Sequence, residues 1–431
     1  MAVTDDELVP VGPWPQGINN LAKDGHTPPG SLREAVNVDL DRDGWIRRSS
    51  GYQRIMPGHA THSLWSDPRL PFGLYVDDGV LHVLHQDEAQ ESLGIEVGGL
   101  PVSYCLINDR VFFTNRLTCG LIGLDLQPLA WAPEQPAGQP QLSLLDGFAL
   151  DPGQYQVAVT FTDLLGRESG TTVAAVIDVP EGGGIHLEHI PQPLQLAQIN
   201  VYLTGPNDQV LKLHSRHPPG TLVLDIGEPA VGYPLATQHL QPLPPGQIVR
   251  YGNGRQWVAA GRELLWSEPL RYGLFNSHRN RIRFAADIEL MQPMGDGGDG
   301  FGVFVAAGKR TFWLGGTDPI NFSNNLVLGA GAVPGSDSMV PGAALGLESS
   351  MPLLVWLARN GWFCIGFPGG QVMPLKQGQA VVDDADRAAM LFREQDGMQQ
   401  VIAALMAPQK QGLMITDRAS AEIVRRGCRQ E

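Results

Sequence analysis

The sequence has few charged residues, and basic residues are the scarcer kind. Charged residues make up 17% of the 431 positions, with 30 Lys and Arg against 45 Asp and Glu, which gives a net charge of −15. Globular proteins average roughly 25% charged residues. Nucleic-acid binding depends on clustered Lys and Arg that neutralise phosphates. The acidic balance therefore argues against a basic nucleic-acid-binding domain, although an acidic surface could face a passing duplex without gripping it.

Cysteine is also rare, and its spacing fits neither a zinc site nor a disulfide framework. The four cysteines are Cys105, Cys119, Cys364 and Cys428, and no two form a CxxC pair. Cys364 lies in an apolar run, where a cysteine usually acts as a small core residue. We therefore expect assembly in a reducing cytoplasm.

Targeting segments and catalytic signatures are missing as well. The first ten residues are acidic and contain no apolar stretch typical of a signal peptide, and no run of 18 apolar residues occurs. There is no G-x-S-x-G, HExxH or Walker motif. Glycoside hydrolysis stays open, because its two carboxylates are usually far apart in sequence. The turn that looks diagnostic of sialidase-type propellers is nevertheless absent, since Ser66-Asp67-Pro68 does not match it.

Glycine and proline, by contrast, are abundant. With 52 Gly and 34 Pro the chain should contain many turns, and 43% apolar residues are enough for a packed core. Many turns between short apolar runs predict an all-β protein. A chain of this length is expected to form two or three domains.

Short hairpin patterns recur along the chain. Each has two apolar runs around a turn signal, and Asn360-Gly361 predicts a type I′ hairpin. They recur at irregular spacings of roughly 30 to 50 residues, the size of a four-stranded propeller blade. A β-sandwich forms similar hairpins, so the pattern alone leaves both architectures open. The hairpins lie at residues 73–84, 104–115, 248–269, 302–315, 353–367 and 391–406.

The middle of the chain has a different pattern. In 154–162, Tyr155, Val157, Val159 and Phe161 alternate with smaller or polar residues, which predicts a half-buried strand. With four further strands the segment fits an immunoglobulin- or fibronectin-like module. Pro-rich flanks mark its junctions. The further strands are predicted at 173–179, 185–190, 199–203 and 210–214, and the flanks at 135–140 and 242–246.

Helical patterns are weak. The segment 383–394 predicts two or three helical turns, with acidic residues at the start that suit the helix dipole. Residues 417–426 fit either a helix or a strand.

The order of elements in residues 17–52 resembles the start of the β-propeller proteins that form the tail nozzle of short-tailed bacteriophages. An extended Gly-Ile-Asn-Asn arm at 17–20 is followed by a Thr-Pro-Pro-Gly turn, a strand, an Asp-Gly turn and a second strand at 45–48. The string YQVAVTFTDLLGRESG, followed by INVYLTG, also resembles the insert found in these nozzle propellers. The resemblance continues at 331–367 and at 421–425, which would be the last strand that helps to close the ring.

The resemblance to this family of nozzle, tail tubular B-like and head–tail stabilising proteins implies a β-propeller split by an inserted immunoglobulin/fibronectin-like β-sandwich. Its parts would be an N-terminal arm and first blades at 1–140, the insert at 141–240, and the remaining blades and closing strand at 241–431. It implies a structural virion protein of the tail, assembled in the host cytoplasm, and not an enzyme. Because only one insert is evident, we expect a compact nozzle or a head–tail stabilising ring.

The partners follow from the same resemblance. We expect a homohexameric ring around the DNA-ejection channel, a portal adaptor protein above it, and tail fibre or tail-tip proteins. Viral DNA would pass without sequence-specific contacts. We expect no catalytic, cofactor-binding or metal-binding residues.

Two acidic loops are candidate cation sites. Asp39, Asp41, Asp43 and Gly44 match the opening of an EF-hand loop, but Ser50 stands where a bidentate Glu is needed and no helices flank the loop. A polar hairpin turn is the better interpretation. In the loop 295–300, the two carboxylates of Asp296 and Asp299 on a Gly-rich backbone make a poor cage, so a mobile loop is expected.

Glycine and histidine motifs give no site either. Gly329-Ala330-Gly331 has its third glycine misplaced at Gly335 and no helical pattern follows, which argues for a turn and against nucleotide binding. His186 and His189 should lie on opposite faces of a strand and cannot chelate together. His59 and His62 lie in a loop-like stretch without obvious partners.

Alternating arginines offer two interpretations. Arg279, Arg281 and Arg283 would form one basic face of a strand. That face is either a solvated edge protected by charge or a contact with another subunit or the channel. The same choice applies to Arg47 and Arg48, beside Trp45 and Tyr52.

A second function fits the same composition. Nine tryptophans make a carbohydrate-binding or carbohydrate-cleaving receptor-binding propeller of a phage tail conceivable, because aromatic rings stack on sugars. Most tryptophans, however, lie in apolar strand patterns that favour the core, at positions 257, 266, 313, 356 and 362. A secreted bacterial adhesion module is a weaker third option, and the missing signal peptide counts against it.

Overall fold

The protein is all-β, as the turn-rich sequence predicts. The computed structural model describes residues 12–23, 25–36, 38–40, 43–48, 57–171, 173–195, 197–295, 300–349, 351–375, 379–382, 385–395 and 398–406. These residues form 35 strands and two short 3-10 helices, and no α-helix occurs among them. The chain divides into two compact units, one of residues 58–284 and one of residues 1–57 with 285–431.

Outside its central segment 141–240, the unit 58–284 contains three four-stranded antiparallel sheets. Sheet I consists of β5 (His62–Ser66), β6 (Phe72–Asp77), β7 (Val80–His85) and β8 (Gln90–Glu96). Sheet II consists of β9 (Ser103–Ile107), β10 (Arg110–Thr114), β11 (Cys119–Ile122) and β12 (Pro128–Leu129). Sheet III consists of β21 (Ile248–Gly252), β22 (Arg255–Ala260), β23 (Glu263–Trp266) and β25 (Arg281–Arg283), and a small sheet pairs β20 (Gln241–Pro242) with β24 (Leu274–Phe275).

Sheet II lies between sheets I and III. Successive side chains of a strand point to opposite faces. Tyr104 and Leu106 of β9 pack in one core with sheet I, whereas Cys105 and Ile107 pack in another core with sheet III. Both faces of sheet II are therefore buried, and the three sheets form a stack.

A two-sheet module interrupts this stack between β12 and β20. Its three-stranded sheet has the order β13 (Gln141–Asp146), β16 (Gly183–Glu188), β19 (Leu224–Ile226). Its four-stranded sheet has the order β15 (Ala175–Val179), β14 (Gly153–Thr162), β17 (Gln198–Leu203), β18 (Lys212–His217). All the strands predicted in this segment occur, with ends shifted by a few residues.

One apolar core joins the two sheets of the module. The alternating residues of β14 that were expected to face inwards are buried together with Ile185 and Leu187 of β16 and Ile226 of β19. Fully burying one such side chain contributes about 1.5–3 kcal/mol relative to exposure, so this shared core is the main source of the module's stability.

The second unit contains two more four-stranded antiparallel sheets. Sheet IV consists of β26 (Ile288–Met294), β27 (Gly302–Ala307), β28 (Arg310–Gly315) and β29 (Ser323–Leu328). Sheet V consists of β30 (Ser338–Val340), β31 (Leu353–Leu357), β32 (Phe363–Gly366) and β33 (Val372–Pro374). The 3-10 helices Pro319–Asn321 and Gly342–Leu345 lie in their connections.

Sheet V is again covered on both faces. Leu354 and Trp356 pack against Phe304 of sheet IV, whereas Leu353 and Val355 pack towards the hairpin of β34 (Arg387–Gln395) and β35 (Met398–Met406). Short strands near the N-terminus complete the unit: β1 (Gly17–Ile18) pairs with β2 (Ser31–Leu32), and β3 (Val38–Leu40) with β4 (Ile46–Arg48).

The helix predicted at 383–394 is wrong, because most of this segment forms strand β34. Nine residues of β34 pair with nine of β35. Ala388, Met390 and Phe392 alternate at the period of a strand, and all three pack on apolar neighbours. This burial outweighs the weak helical preference of the segment. Residues 417–426 and the expected closing strand at 421–425 lie outside the described residues.

The type I′ turn predicted at Asn360-Gly361 is also wrong, although the hairpin exists. A type I′ turn needs positive φ at both central residues, but Asn360 is not among the residues with positive φ, whereas Gly361 has φ 83°. The loop spans five residues between β31 and β32. Asp78-Gly79, Asn108-Asp109 and Asn253-Gly254 are two-residue hairpin loops with positive φ at both positions.

Candidate functional site

The loop 163–170 connects the two-sheet module to the rest of its unit through several hydrogen bonds. Asp163 Oδ1 accepts the backbone N–H groups of Leu165 and Arg167 at 3.0 and 2.9 Å. The Asp163 N–H also donates to the Arg167 carbonyl at 3.0 Å, and Gly166 takes a φ of 75°. A side-chain carboxylate that bonds backbone N–H groups two and four residues later fixes such a turn.

This turn aims Arg167 at the segment that follows sheet II. Its Nη1 donates to the carbonyl of Trp131 at 2.8 Å and its Nη2 to the carbonyl of Ala130 at 2.9 Å. Its Nε donates to Asp163 Oδ2 at 2.8 Å. The planar guanidinium presents several donors in a fixed fork, so one side chain joins the insert to the chain that enters it. We call this contact the insert clamp.

Further contacts hold both flanks of the insert. The Gln135 amide donates to the Thr171 carbonyl at 3.1 Å, and the Thr237 hydroxyl donates to the Ser169 carbonyl at 2.7 Å. At Gly170 a Cβ atom would lie 1.8 Å from the Leu240 carbonyl oxygen, so no other residue fits without movement of the backbone. The module is therefore fixed at its entry and at its exit.

A polar network lies beside the clamp. Glu168 Oε1 accepts hydrogen bonds from Tyr202 Oη and Thr160 Oγ1, both at 2.7 Å, and from Asn200 Nδ2 at 3.1 Å. Burial and the hydrogen bond to the Glu168 carboxylate raise the pKa of Tyr202, which stays protonated. Three donors from two neighbouring strands, β14 and β17, thus converge on one carboxylate oxygen, which fixes the base of the loop 163–170 on the four-stranded sheet.

The arm 17–20 contacts a segment of its own unit that is distant in sequence. Asn20 Nδ2 donates to the Val381 carbonyl at 2.7 Å, and the Val381 N–H donates to Asn20 Oδ1 at 3.0 Å. The side-chain amide thus pairs with the backbone as a neighbouring strand would. Val382 in turn donates to the Gly361 carbonyl at 2.9 Å, which connects the arm to sheet V. We call this contact the arm clasp.

Sheets IV and V are joined near the clasp by an ion pair. Arg359 donates from Nη2 to Glu289 Oε1 at 2.6 Å and from Nε to Glu289 Oε2 at 3.1 Å. The Arg359 N–H also bonds the Gly331 carbonyl at 2.9 Å. A bidentate pair with a backbone anchor is more restrictive than a single surface ion pair.

The strands on either side of the first candidate cation loop pair as an antiparallel hairpin, in agreement with its preferred interpretation. β3 and β4 pair with Asp39 opposite Arg47. Gly44 has φ 82°, and a Cβ there would lie 2.4 Å from the Pro15 nitrogen, so close packing and conformation both require glycine. Asp41 and Ser50 lie outside the described residues.

The second cation candidate, Asp296 and Asp299, also lies outside the described residues. Among the residues that are described, no group of three His, Cys, Asp or Glu side chains is placed to hold a metal ion. Gly329-Ala330-Gly331 follows β29 as a bend and leads into a bridge between Ala332 and Ala358, and no α-helix follows it in the described chain.

His186 and His189 do not share a strand, although they were predicted to lie on opposite faces of one. His186 on β16 contacts Asp225 through Nδ1 at 2.5 Å and Glu188 through Nε2 at 3.3 Å. These carboxylates, Asp225 above all, raise the pKa of His186. His189 lies beyond the end of the strand with φ 54°. His59 donates its backbone N–H to Asp77, and the His62 ring contacts the Ser63 hydroxyl.

The arginine cluster occupies an edge strand. β25 pairs only with β23 in sheet III, so it forms one edge of the sheet, and Arg281 and Arg283 are exposed on it. Arg279 precedes the strand and pairs with Glu268 at 2.9 Å. Burial opposes the charge on Glu268, but hydrogen bonds from Arg279 and Asn280 outweigh it and lower its pKa. The basic face that was predicted for three arginines therefore contains Arg281 and Arg283 but not Arg279, which lies before the strand.

Arg47 and Arg48 lie on β4, where both are exposed, and Tyr52 lies outside the described residues. Four of the five tryptophans predicted to be core residues are buried, since Trp257, Trp266 and Trp356 are at most 1% exposed and Trp313 is 5% exposed, whereas Trp362 is half-buried. Burial raises the pKa of the free thiols of Cys105, Cys119 and Cys364 to about 12, which disfavours the thiolate form at neutral pH. Cys428 lies outside the described residues.

Arg167, Glu168 and Asn20 were not singled out from the sequence. An Asp and an Arg four residues apart around Gly166 could have indicated a bonded turn. Their distant partners leave no local signal, because Ala130 and Val381 are contacted through backbone groups that any residue carries.

Comparison with known proteins gives limited information. No protein-family model and no curated protein matches the chain. Solved structures that resemble it include BBS1N in complex with ARL6DN, at 11% identity over 81% of this chain and 95% of that chain, with a TM-score of 0.30. They also include the N-terminal domain of Nup159, at 9% identity over 84% and 76%, with a TM-score of 0.32.

Hsv2 from Kluyveromyces lactis is similar at 11% identity over 83% of this chain and 88% of that chain, with a TM-score of 0.27. All three are β-propeller proteins. At these scores the similarity assigns no function to this chain. No helix in the described part of the chain is long and apolar enough to cross a membrane.

Proposed function

We propose that sheets I, II, III, IV and V are blades of a β-propeller, and that an immunoglobulin/fibronectin-like insert interrupts this propeller. Support comes from the stacking: sheets II and V each bury both faces against neighbouring elements, as internal blades do. Each of sheets I, II, IV and V is a meander of consecutive antiparallel strands. The blade of sheet III is completed by β25 after the short β24.

The strand pairing of the insert supports its proposed class. In immunoglobulin domains strand B pairs with E in one sheet, and C pairs with F and F with G in the other. Here β13 pairs with β16, β14 with β17, and β17 with β18. The sheet of β13 and β16 has three strands and the sheet of β14, β17 and β18 has four, whereas the corresponding immunoglobulin sheets have four and three. The last strand, β19, pairs with β16 and has no counterpart among these pairs.

We infer that the chain is a structural virion protein of a bacteriophage tail, a nozzle or head–tail completion ring that forms part of the DNA-ejection channel. The observation that carries this proposal is the order of parts: an arm clasped to a late segment, meanders, a clamped insert and further meanders. The insert clamp and the arm clasp each fix two distant segments of the chain to one another, which suits a protein that must keep its shape under mechanical force.

The proposed partners follow from this role. Six copies would form a closed ring, with a portal adaptor protein on one side and tail fibre or tail-tip proteins on the other. Viral DNA would pass without sequence-specific contacts, and acidic residues on the channel wall would keep it from sticking. The protein would be assembled in the host cytoplasm and reside in the virion tail.

Negative-stain imaging of the purified full chain tests this proposal. Six-fold rings are expected. A strictly monomeric protein at all concentrations would overturn the proposal. The alternative, a carbohydrate-binding or carbohydrate-cleaving tail protein, would be supported by glycan turnover that a single carboxylate substitution abolishes.

A further inference from the structure

The two outer sheets of the I–II–III stack carry opposite charge. Residues 57–102, which hold sheet I, contain seven Asp and Glu and one Arg, a net charge of −6. Residues 247–284, which hold sheet III, contain seven Arg and two Glu, a net charge of +5. Sheet II separates them, so the stack is acidic at one end and basic at the other, although the whole chain is acidic.

On the basic side, charge is concentrated at a free edge. β25 is an edge strand of sheet III, so one side of its backbone is open to pairing. Arg281 and Arg283 are exposed, and neither makes an ion pair or a side-chain hydrogen bond within the described part of the chain. Glu263 lies opposite Arg283 in the sheet register without forming an ion pair.

On the acidic side, β8 is an edge strand of sheet I. Glu91 and Glu96 are exposed on it, and Asp87 and Glu88 are exposed in the turn that precedes it. Glu91 lies 3.5 Å from the exposed ring of His85. The stack of sheets I, II and III thus has an acidic edge strand, β8, and a basic edge strand, β25.

Copies of a chain with a net charge of −15 repel one another unless a local contact joins opposite charges. A two-fold contact of β8 with β8, or of β25 with β25, would place like charges together, which costs several kcal/mol. A head-to-tail contact joins unlike charges, and head-to-tail contacts are those that close into rings.

We propose that the basic edge, β25, of one copy binds the acidic edge, β8, of the next copy. This inference rests on the proposed ring. It specifies that the copies join head to tail and that each edge of one copy is covered by the oppositely charged edge of a neighbouring copy. The backbone N–H and C=O groups of β25 and β8 can form hydrogen bonds with each other. The opposite charges favour this contact over a contact of β25 with β25 or of β8 with β8.

Charge reversal tests the contact in the full chain. We expect R281E/R283E and E91K/E96K each to raise the concentration at which rings form by roughly tenfold or more. The quadruple variant R281E/R283E/E91K/E96K restores opposite charges with the signs exchanged, and should form rings within roughly threefold of the unmodified chain. Analytical ultracentrifugation at low and high salt measures both, and salt should weaken assembly.

K309E/R310E is the matched control, because it makes the same charge change at exposed positions of sheet IV. Equal assembly of all variants, or no recovery in the quadruple variant, would overturn the inference while leaving the ring intact. Failure of the unmodified chain to form rings would instead overturn the proposed function. DNA binding that R281E/R283E abolishes with assembly unchanged would also overturn the inference and assign the basic edge to nucleic acid.

Discussion

Replacing Arg167 by alanine should loosen the insert from sheet II. The guanidinium donates to two carbonyls, of Trp131 and Ala130, and to the carboxylate of Asp163 at 2.8–2.9 Å. Alanine removes all three bonds and leaves the Asp163 carboxylate without its counter-charge. The side chains of Arg167 and Asp163 are only 22% and 21% exposed, so water compensates for the loss only in part.

The size of the effect follows from these contacts. A hydrogen bond to a charged group contributes about 1.5–3 kcal/mol, and partial solvation reduces the total. We expect Arg167→Ala to lower the free energy of opening the clamp by about 2–4 kcal/mol. Arg167→Lys keeps the positive charge but not the planar, forked arrangement of N–H donors. It should therefore lower the free energy of opening the clamp by about half as much as Arg167→Ala.

Hydrogen exchange measured by mass spectrometry on peptides covering 128–135 and 163–171 provides the assay. A loss of about 3 kcal/mol corresponds to exchange roughly 100-fold faster in this region. Arg69→Ala is the control, since Arg69 bonds Asp67 at the same 2.8 Å but its side chain is 67% exposed, so its loss should cost less than about 1 kcal/mol. Equal effects of the two substitutions would refute the reasoning.

Three further predictions concern other parts of the molecule. Asn20→Ala should speed exchange of the Val381 amide about tenfold, because both bonds of the arm clasp are lost; an unchanged rate would contradict the clasp. NMR titration should place the pKa of His186 above 6.5, and Asp225→Asn should lower this pKa, since the Asp225 carboxylate favours the charged ring. The stabilisation of the fold by this pair is complete below pH 6.5 and is lost as the pH rises through the raised pKa. Cys364 should resist alkylation at pH 8 in the folded protein and react only after unfolding, because burial raises its pKa to about 12; rapid labelling of the native chain would show that sheet V is not packed as described.

Most strands and hairpins could be predicted from the sequence because their signals are local. Alternation in 154–162 gave β14 within one residue, and the Asp78-Gly79 turn joins β6 to β7 as expected. These features depend only on side-chain periodicity and on residues that tolerate positive φ.

The errors arose where tertiary contacts outweigh local preference. Residues 387–395 form a strand because they pair with β35 and pack towards sheet V, which the weak helical pattern does not reveal. Gly361 is required by packing, since a Cβ there would lie 2.6 Å from the Val382 carbonyl oxygen, and not by a type I′ turn.

The clamp and the clasp could not be predicted for a different reason. Arg167 contacts backbone groups more than 30 positions away, and Asn20 contacts Val381 across 361 positions. Only the folded chain brings these groups together, and the partner carbonyls carry no sequence signal.

Locating the protein in purified virus particles tests the central claim most directly. Antibody-labelled particles that contain the chain should carry the label at the tail, and averaged images should show a six-fold ring there. Label on the capsid, label on extended fibres, or particles that lack the protein would contradict the assignment to the nozzle or head–tail completion ring.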